Sequence, residues 1–430
     1  MNRKIFKVIL TLTISVVLSN AQVFHTARSI SLAGAYSTYD TGPDALLWNP
    51  ANLGHSNIKI GFSFGIFPFV PFNSLRLFNN SINASWFNKY MASGLYLDEN
   101  KKKEMLSYFS AEGLNFAGEM CGRIIGMRIG HFAFSTNLHF ISSGNIPKVL
   151  LDIPFRGIKL EQDIELDDVD AFAQSYMSLD MGYGHLLESD IINSYFDSFS
   201  VGVTFRLLLG IETATTKDVN GTISVFKDGI SMEGAASIKG GIGGFGCGIG
   251  AGISGKMKER LSFGLSVNNL FSFIRWTKST KEYEFEYRNF LKPEDFFDDE
   301  IDSLFEAGII SDTLKDVSPF STVLPVYIVA GFGYNYSKKL DIYASMIQFV
   351  NESWYSSLTP TFSVGAEVRY LPILPIRFGI NFGGESGFRW GGGFSIGGRT
   401  YSFDFGFSQD SGFFNKARGF TISFGHEFRF

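Results

Sequence analysis

Apolar and polar residues alternate with period two over roughly the last seventy residues, in segments about ten residues long. In the last segment one face is apolar except for a histidine, and the other face is small, polar or charged. The first face comprises Phe420, Ile422, Phe424, His426, Phe428 and Phe430, and the second comprises Thr421, Ser423, Gly425, Glu427 and Arg429. This pattern predicts strands that present one side to lipid and the other to a polar interior. A soluble sandwich is the alternative, in which a second sheet would cover the apolar face.

Followed back along the chain, the alternation predicts about fourteen strands. They begin near Lys59, Asn115, Phe132, Tyr176, Phe199, Gly244, Leu261, Val326, Leu340, Thr361, Leu374, Arg389, Tyr401 and Gly419. Short connections alternate with mostly longer ones around Asn415, Gly384, Ser353, Asp299, Thr222 and Asp163. Outer-membrane barrels have short periplasmic turns and long extracellular loops. The predicted fold is therefore all-β, a transmembrane antiparallel β-barrel with both termini in the periplasm.

The N-terminus has the organisation of a secretory signal peptide. Three basic residues accompany an apolar stretch at 5–18, and small residues at Ser19 and Ala21 predict cleavage after Ala21. The stretch is shorter than the roughly 20 apolar residues that a spanning helix needs. The predicted organisation is a signal peptide at 1–21, an N-terminal hatch at 22–57 and a barrel at 58–430, in the cell outer membrane.

The composition agrees with strands that face lipid. The chain has 46 Phe, 17 Tyr and 47 Gly, and only 18% of its residues are charged. The formal net charge of −5 becomes −8 when the three basic residues of the signal peptide are removed, so no basic surface for nucleic acid is expected. Cys121 and Cys247 can form a disulfide or remain free thiols in an exported protein.

The segment between the predicted cleavage site and the first strand does not alternate like a strand. Small residues predominate at 27–36, residues 44–47 predict one helical turn, and Asn49-Pro50 ends it. The segment is too apolar for a free periplasmic tail. We expect it to fold inside the mouth of the barrel.

In these residues the chain resembles the FadL superfamily, the outer-membrane transporters of long-chain fatty acids and aromatic hydrocarbons. It is most similar to the branch that contains the PorV-type proteins of the type IX secretion system. The resemblance lies in a start of the form A-R-x-x-x-x-A-G-A-Y, followed by D-A-x-x-W-N-P-A. The matching positions include Arg28, Gly34, Tyr36, Asp44, Trp48, Asn49, Pro50 and Ala51. The resemblance implies a fourteen-stranded barrel plugged by an N-terminal hatch, and passage of hydrophobic ligands through a wall opening near a distorted strand.

The carboxy terminus resembles the signal that the outer-membrane barrel assembly machinery reads. In that signal a glycine is followed three residues later by an aromatic residue and five residues later by a terminal aromatic residue. Gly425, Phe428 and Phe430 occupy these positions. The resemblance implies that the assembly machinery and outer-membrane lipid are partners of the chain.

A glycine-rich run at 240–252 allows two interpretations. A phosphate-binding loop would need a Lys-Ser or Lys-Thr pair, which the run lacks. The alternative is a strand with glycines on one face, where a plug or a ligand can approach the backbone closely. That face would comprise Gly244, Gly246, Gly248, Gly250 and Gly252.

Outside these segments the sequence contains no strong candidate for a metal-binding or catalytic site. Acidic clusters at 161–170 and 294–302 lie in predicted outer loops and lack the ligand spacing of a calcium loop, so we interpret them as solvated. The second cluster also predicts an amphipathic helix that could gate the barrel or dock a partner. None of the six histidines belongs to a nucleophile motif or has metal-ligand spacing. We therefore predict no enzyme, no cofactor and no metal.

Two functional classes are compatible with these patterns. The first is a plugged passive channel for hydrophobic or amphipathic small molecules. The second is a non-transporting, PorV-like barrel that serves as an accessory or shuttle of a secretion or cell-envelope complex. An apolar lumen with a gap in the strand ladder would favour the channel, whereas a sealed wall with ordered, apolar outer loops would favour the accessory.

Overall fold

The computed structural model describes residues 26–39, 42–55, 59–65, 72–94, 96–167, 169–295, 306–353, 356–398 and 400–430. The predicted signal peptide and the predicted amphipathic helix at 296–305 lie outside these residues.

The described residues contain 18 strands in one antiparallel sheet. The strands are β1 (Ile60–Phe64), β2 (Ser74–Asn79), β3 (Leu114–Ile129), β4 (Phe132–Ile146), β5 (Asp163–Glu165), β6 (Ala171–Leu186), β7 (Ser198–Phe226), β8 (Gly229–Met257), β9 (Leu261–Leu291), β10 (Ile309–Asp316), β11 (Phe320–Val323), β12 (Tyr327–Ser337), β13 (Leu340–Phe349), β14 (Thr361–Val368), β15 (Ile376–Gly383), β16 (Gly387–Gly397), β17 (Tyr401–Asp410) and β18 (Gly419–Arg429).

These segments make fourteen barrel strands in the described part of the chain, as predicted. β1 and β2 are two halves of one barrel strand, because both pair with β3 and β18. β10, β11 and β12 are three parts of another, because each pairs with a successive stretch of β9. β5 pairs only with the far end of β7 and is not part of the wall. Pairing of β18 with β1 and β2 closes the barrel.

Side chains alternate between the two faces of the wall as the sequence pattern predicts. On β14 and β15 the outward Phe362, Val364 and Phe378 are more than half exposed, whereas the inward Ser363 and Arg377 are buried. The outward band is expected to face lipid. The connections at one end of the barrel are mostly short, apart from residues 187–197 between β6 and β7. The other end carries the longest connections, such as those between β2 and β3 and between β4 and β6, together with short turns between β7 and β8 and between β15 and β16. By the rule for outer-membrane barrels, the first end is periplasmic and the second extracellular.

Helices are short and lie in the N-terminal segment and in the connections. The α-helices are Ala27–Ser31, Ala45–Trp48, Ala84–Phe87, Glu99–Leu106, Lys148–Arg156 and Asp190–Asn193, with 3-10 helices at Pro50–His55 and Phe414–Lys416 and a π-helix at Asn88–Ala92. A search of the described residues finds no helix with the length and apolar character to cross a membrane. Cys121 and Cys247 are not joined by a disulfide, and the Cys121 thiol donates to Glu119 Oε1 at 3.1 Å.

The expectation of a loop around Thr222 is wrong, because Thr222 lies within β7. β7 and β8 have 29 residues each and β9 has 31, whereas about ten residues cross a membrane. The extra length forms an extracellular sheet with β10. The period-two pattern continues through this sheet without a turn residue where the membrane ends, so the sequence pattern does not mark the boundary.

Candidate functional site: the N-terminal segment, the lumen and the extracellular groove

The N-terminal segment, residues 26–39 and 42–55, packs against the inner face of the barrel. Its first helix begins at a capping box in which Thr26 and Ser29 satisfy each other's backbone N–H groups. This helix contacts β15 to β18, and the 3-10 helix Pro50–His55 contacts β6 to β8. The two ends of the segment therefore touch opposite parts of the wall.

Arg28 anchors the first helix to the last two strands. Its Nη2 lies 2.8 Å from Asp404 Oδ2 and donates to Ser402 Oγ at 2.9 Å, and its Nη1 lies 2.5 Å from Glu427 Oε2. All three charged side chains are almost completely buried. A buried charge without a partner is costly, so this contact strongly favours one position of the segment.

Asp44 forms a second ion pair with the wall, in which the segment supplies the negative charge and the wall the positive charge. Its carboxylate accepts from Arg123 of β3 and, at 3.0 Å, from the Tyr36 hydroxyl. Tyr36 is completely buried and packs against Tyr39 and Trp48. The motif residues Arg28, Tyr36 and Asp44 thus connect the segment to the wall and to itself.

Trp48, Asn49 and Pro50 lie at the turn between the two short helices, where backbone groups need partners. The Trp48 carbonyl accepts from Ser266 Oγ at 2.5 Å and Asn268 Nδ2 at 3.2 Å, both on β9. Asn49 Nδ2 donates to the Ile253 carbonyl at 2.9 Å, and Asn49 Oδ1 accepts from the Ala51 N–H at 3.1 Å. These bonds replace the ladder partners that a non-strand segment lacks.

Glycines on the inner face of the wall make room for the backbone of the segment. A Cβ at Gly406 would lie 2.2 Å from the Ala27 oxygen, and one at Gly391 would lie 2.1 Å from the Ile30 oxygen. On the opposite wall, a Cβ at Gly202 would lie 2.3 Å from the Pro50 carbonyl carbon. Within the segment, Gly34 has φ +92°, which a side chain would strain.

The glycine-rich run lies on β8, a strand, as predicted. Most of its glycines are in close contact with the neighbouring strand β9 and not with the N-terminal segment. Of the five predicted positions only Gly252 contacts the N-terminal segment, where a Cβ would lie 2.2 Å from Asn49 Oδ1. Cβ atoms at Gly244, Gly246 and Gly248 would meet β9, and one at Gly250 would lie 2.9 Å from Asn268 Oδ1 on β9.

The carboxy terminus closes the barrel through its backbone. Phe430 donates to the Ile60 carbonyl at 2.8 Å, and the Phe430 carbonyl accepts from the Lys59 and Ile60 N–H groups at 3.2 Å. Phe428 packs on Phe64, with ring centroids 6.0 Å apart. Gly425 has no atom within 4 Å of its would-be Cβ, so it is not needed for close packing.

The upper lumen has an apolar cluster beside the polar lower part. Its buried members are Ile141, Phe172, Tyr176, Leu208, Ile274, Trp276 and Leu324. They come from β4, β6, β7 and β9 and from the connection after β11. A hydrophobic molecule would find an apolar environment here. A second apolar cluster, around Tyr36, Trp48 and Tyr343, is formed by the N-terminal segment together with the wall.

An apolar groove lies at the extracellular end, between the wall and a layer of helices. Its volume is about 820 Å³. The walls include Leu77, Phe87, Phe116, Phe414 and Phe420. Trp86, Tyr90, Met105, Leu106 and Phe109 form the core of the helical layer. The size and apolar lining are those of a site for a small molecule.

One protein family matches this chain over most of its length. Its model, described as a family of unknown function, DUF5723, matches residues 50–406. The chain belongs to the DUF5723 family. None of the curated proteins compared with it matches.

Solved structures show that the DUF5723 chain has a FadL-like fold. The toluene transporter TbuX of Ralstonia pickettii matches with a TM-score of 0.53 and 14% identity, over 95% of this chain and 99% of TbuX. A Pseudomonas aeruginosa FadL homologue matches at 0.50 and 12% identity, over 95% and 99%. The toluene transporter TodX of Pseudomonas putida matches at 0.50 and 10%, over 96% and 99%. The predicted FadL-like barrel is confirmed.

Sequence reasoning missed the wall partners of the N-terminal segment in the DUF5723 chain. Asp404, Glu427 and Arg123 lie on β17, β18 and β3, so nothing local in the sequence pairs them with Arg28 or Asp44. The sequence feature that could have indicated them is a charged residue at an inward position of a strand. Within the described ranges, no group of three or more His, Cys, Asp and Glu side chains could hold a metal ion.

His55, at the periplasmic end of the segment, makes its docking dependent on pH. Nε2 donates to the Ser254 carbonyl at 3.1 Å, so Nδ1 accepts from Ser198 Oγ at 3.0 Å and the ring is neutral. Burial, together with the nearby Lys256 ammonium, lowers the pKa of His55 to about 4. A proton then binds the released segment better than the docked one, so docking weakens as the pH falls from about 6.5 to 4.

We therefore expect the amide groups near His55 to exchange faster with solvent deuterium at pH 4.5 than at pH 7, after correction for intrinsic rates. His55→Gln retains a hydrogen-bonding side chain without the titration, and its corrected exchange should not change with pH. An equal pH dependence in both proteins would contradict this role for His55.

Proposed function

We propose that this chain is a passive outer-membrane channel for hydrophobic or amphipathic small molecules, plugged by its N-terminal segment. The observation that carries the proposal is the extracellular groove of about 820 Å³ with its phenylalanine-rich wall. A binding site for a small apolar molecule has this size and lining. The similar fold of proteins named as toluene transporters supports the same substrate class.

Leu77, Phe116 and Phe420 lie on the outward face of β2, β3 and β18, so the groove is on the outer side of the wall. The lumen offers a second apolar region. The apolar luminal cluster lies on β4, β6, β7 and β9 and in the connection after β11. Below it the N-terminal segment contributes Arg28 and Asp44 to ion pairs with the wall. A plug held by buried charges prevents free passage of polar solutes, because its displacement would leave those charges unpaired.

Reconstitution tests the channel directly. The mature protein, with and without residues 22–54, is placed in vesicles that contain lipopolysaccharide, and entry of a fluorescent fatty acid is followed. We expect faster entry than into empty vesicles, and a further change when the segment is absent. Entry at the empty-vesicle rate in both forms would contradict the channel.

Arg418 is positioned to bind the polar end of an amphipathic ligand. It lines the groove and donates to the Asn80 carbonyl, and none of the described carboxylates forms a salt bridge with it. A hydrogen bond from a charged donor contributes about 1.5–3 kcal/mol. We expect Arg418→Ala to slow entry of the fluorescent fatty acid about tenfold and to leave entry of an uncharged aromatic probe unchanged.

Lys416→Ala is the matched control for this prediction, since Lys416 is an exposed cation of the same connection. It should affect neither probe. Equal slowing of the charged and uncharged probes by Arg418→Ala would mean that the arginine shapes the groove and does not bind a head group.

A role as accessory or shuttle of a secretion or cell-envelope complex is the second candidate. The extracellular sheet favours it, because β7, β8 and β9 extend well beyond the membrane and offer a surface to another protein. If this role is correct, shortening the β7–β8 hairpin by residues 219–236 should abolish binding of the partner and leave flux unchanged.

For biogenesis we propose that the barrel assembly machinery recognises β18 through Gly425, Phe428 and Phe430.

A further inference from the structure

β9 carries no charged residue from Leu261, at the periplasmic turn, to Ile274. Its outward residues in this stretch include Phe263, Leu265 and Phe273. The rise from Phe263 to Phe273 is about 25 Å, from about 3.3 Å per residue and a strand tilt of about 40°. An outer-membrane barrel has an apolar band about 25 Å tall. Phe273 therefore lies at the extracellular edge of this band.

Arg275 is the first charged residue of β9 beyond this edge, and it faces outward. In the sheet it lies beside Phe245 of β8 and Ser321 of β11. Phe245 is more than half exposed on the outer face and lies in turn beside Leu209 of β7. A charged side chain at the edge of the lipid is unfavourable unless it pairs with an opposite charge. Arg275 therefore needs a partner that is present at this level of the membrane.

Lys278 is the second charged residue above the apolar band, and it also faces outward. It lies opposite Ile242 of β8. The neighbouring Gly241 faces the lumen, since a Cβ there would lie 3.0 Å from Trp276 Cβ, so Ile242 faces outward and is more than half exposed. The lysine stem lies over Gly243, where a Cβ would be 2.9 Å from Lys278 Cδ. The absence of a side chain at Gly243 leaves room for this stem along the wall.

The two cations lack the partners that exposed cations of the extracellular sheet have. In that sheet Lys217 pairs with Glu282 at 3.1 Å. Neither Arg275 nor Lys278 forms a salt bridge with a carboxylate in the described ranges. Glu212 of β7 is in the same row as Lys278 but two strands away, which is about 10 Å. Within the described part of the chain, the protein itself does not neutralise these two charges.

Lipid head groups carry the matching charge at this level. Arginine binds phosphate through two parallel hydrogen bonds, and lysine binds it as a point charge. Directly below the two cations, Phe245, Phe273 and Val323 are exposed on the outer face and would contact acyl chains. Cations above an exposed apolar surface match a lipid that has phosphate on its head group. In the outer leaflet of an outer membrane this lipid is lipopolysaccharide, whose lipid A part carries phosphates and several acyl chains.

We propose that Arg275 and Lys278 bind the phosphate groups of lipid A in the outer leaflet, with its acyl chains on Phe245, Phe273 and Val323. The proposal goes beyond the channel function and does not depend on it. The site lies where β8 and β9 leave the membrane and continue into the extracellular sheet. A lipid bound there fixes the height of this sheet above the membrane.

Native mass spectrometry of the mature protein in detergent measures this binding. Lipid A with two phosphates, lipid A without phosphate and inorganic phosphate are each titrated. The test variant is Arg275→Gln with Lys278→Gln. Lys217→Gln is the matched control, because Lys217 is also an exposed cation but has Glu282 as its partner. Unheated electrophoresis shows whether each variant migrates as a folded barrel.

We expect the wild-type protein to bind phosphorylated lipid A about tenfold more tightly than the form without phosphate. The double variant should bind both forms equally, and Lys217→Gln should bind like the wild type. Equal affinity of the wild type for both forms would overturn the proposal, as would undiminished binding by the double variant or equal weakening by Lys217→Gln. Inorganic phosphate that binds as tightly as the lipid would show a site for free anions and would also overturn it.

Discussion

Replacing Arg28 by alanine is expected to release the N-terminal segment from β17 and β18 while the barrel stays closed. The substitution leaves Asp404 and Glu427 buried without their shared partner. Removing one member of a buried ion pair costs about 3–5 kcal/mol. A segment docked by a similar amount of free energy would then spend much of its time undocked, and polar solutes would leak through the lumen.

Hydrogen exchange of residues 26–39 and leakage of a small polar dye from vesicles measure this release. Arg429→Ala is the matched control, because Arg429 also pairs with Glu427, at 2.5 Å, but its side chain is 37% exposed. A partly exposed pair contributes about 0–1 kcal/mol, so the control should change little. Unchanged protection of residues 26–39 in Arg28→Ala would show that other contacts hold the segment.

The barrel itself was predictable because its signal repeats in every strand. Each wall residue faces lipid or lumen, so an apolar side chain at every second position marks a strand independently of its neighbours. β14, β15, β17 and β18 carry this pattern without bulges, and their predicted starts agree with the structure to within about two residues.

The extracellular sheet was not predictable in the same way, and neither was the break in pairing between β9 and β11–β12, from Phe273 opposite Val323 to Asn268 opposite Tyr327. β8 and β9 contain register shifts between Gly240 and Ile242 and near Leu270, and each shift exchanges the inward and outward faces. The sequence pattern alone therefore does not give the inward and outward positions beyond a shift. The break depends on Pro325 facing a bulge on a strand more than fifty residues away, so it appears only when the register is known.

The N-terminal segment was predictable in part. Its motif predicted roles for Arg28, Asp44 and Trp48, but the sequence did not identify their partners on the wall. Partner choice depends on which inward positions reach the same height in the lumen, and this follows from the stagger of the strands. The same holds for the inward glycines that contact the segment. The sequence shows that a glycine faces the lumen, but it does not show which backbone atoms lie next to it.

Gly406→Ala is expected to displace the first helix of the segment, whereas Gly425→Ala on the adjacent strand is not. The two glycines are both inward, on β17 and β18. A Cβ at Gly406 would lie 2.2 Å from the Ala27 oxygen and within 3.0 Å of two more backbone atoms, whereas one at Gly425 meets nothing within 4 Å. Overpacking of this kind costs about 1–3 kcal/mol. Where space is open, the same change stabilises by about 0.4–1 kcal/mol through the unfolded chain.

The two substitutions should therefore act with opposite sign. Gly406→Ala should increase hydrogen exchange of residues 27–31 and raise dye leakage about tenfold, as a loss of some 1.4 kcal/mol in docking requires. Gly425→Ala should leave exchange and leakage at their original values and slightly raise the urea concentration at the midpoint of unfolding. Both barrels should still migrate as folded species in unheated electrophoresis. If both variants leak equally, the cause would be added volume in the lumen, and the close backbone contact at Ala27 would not be what seats the segment.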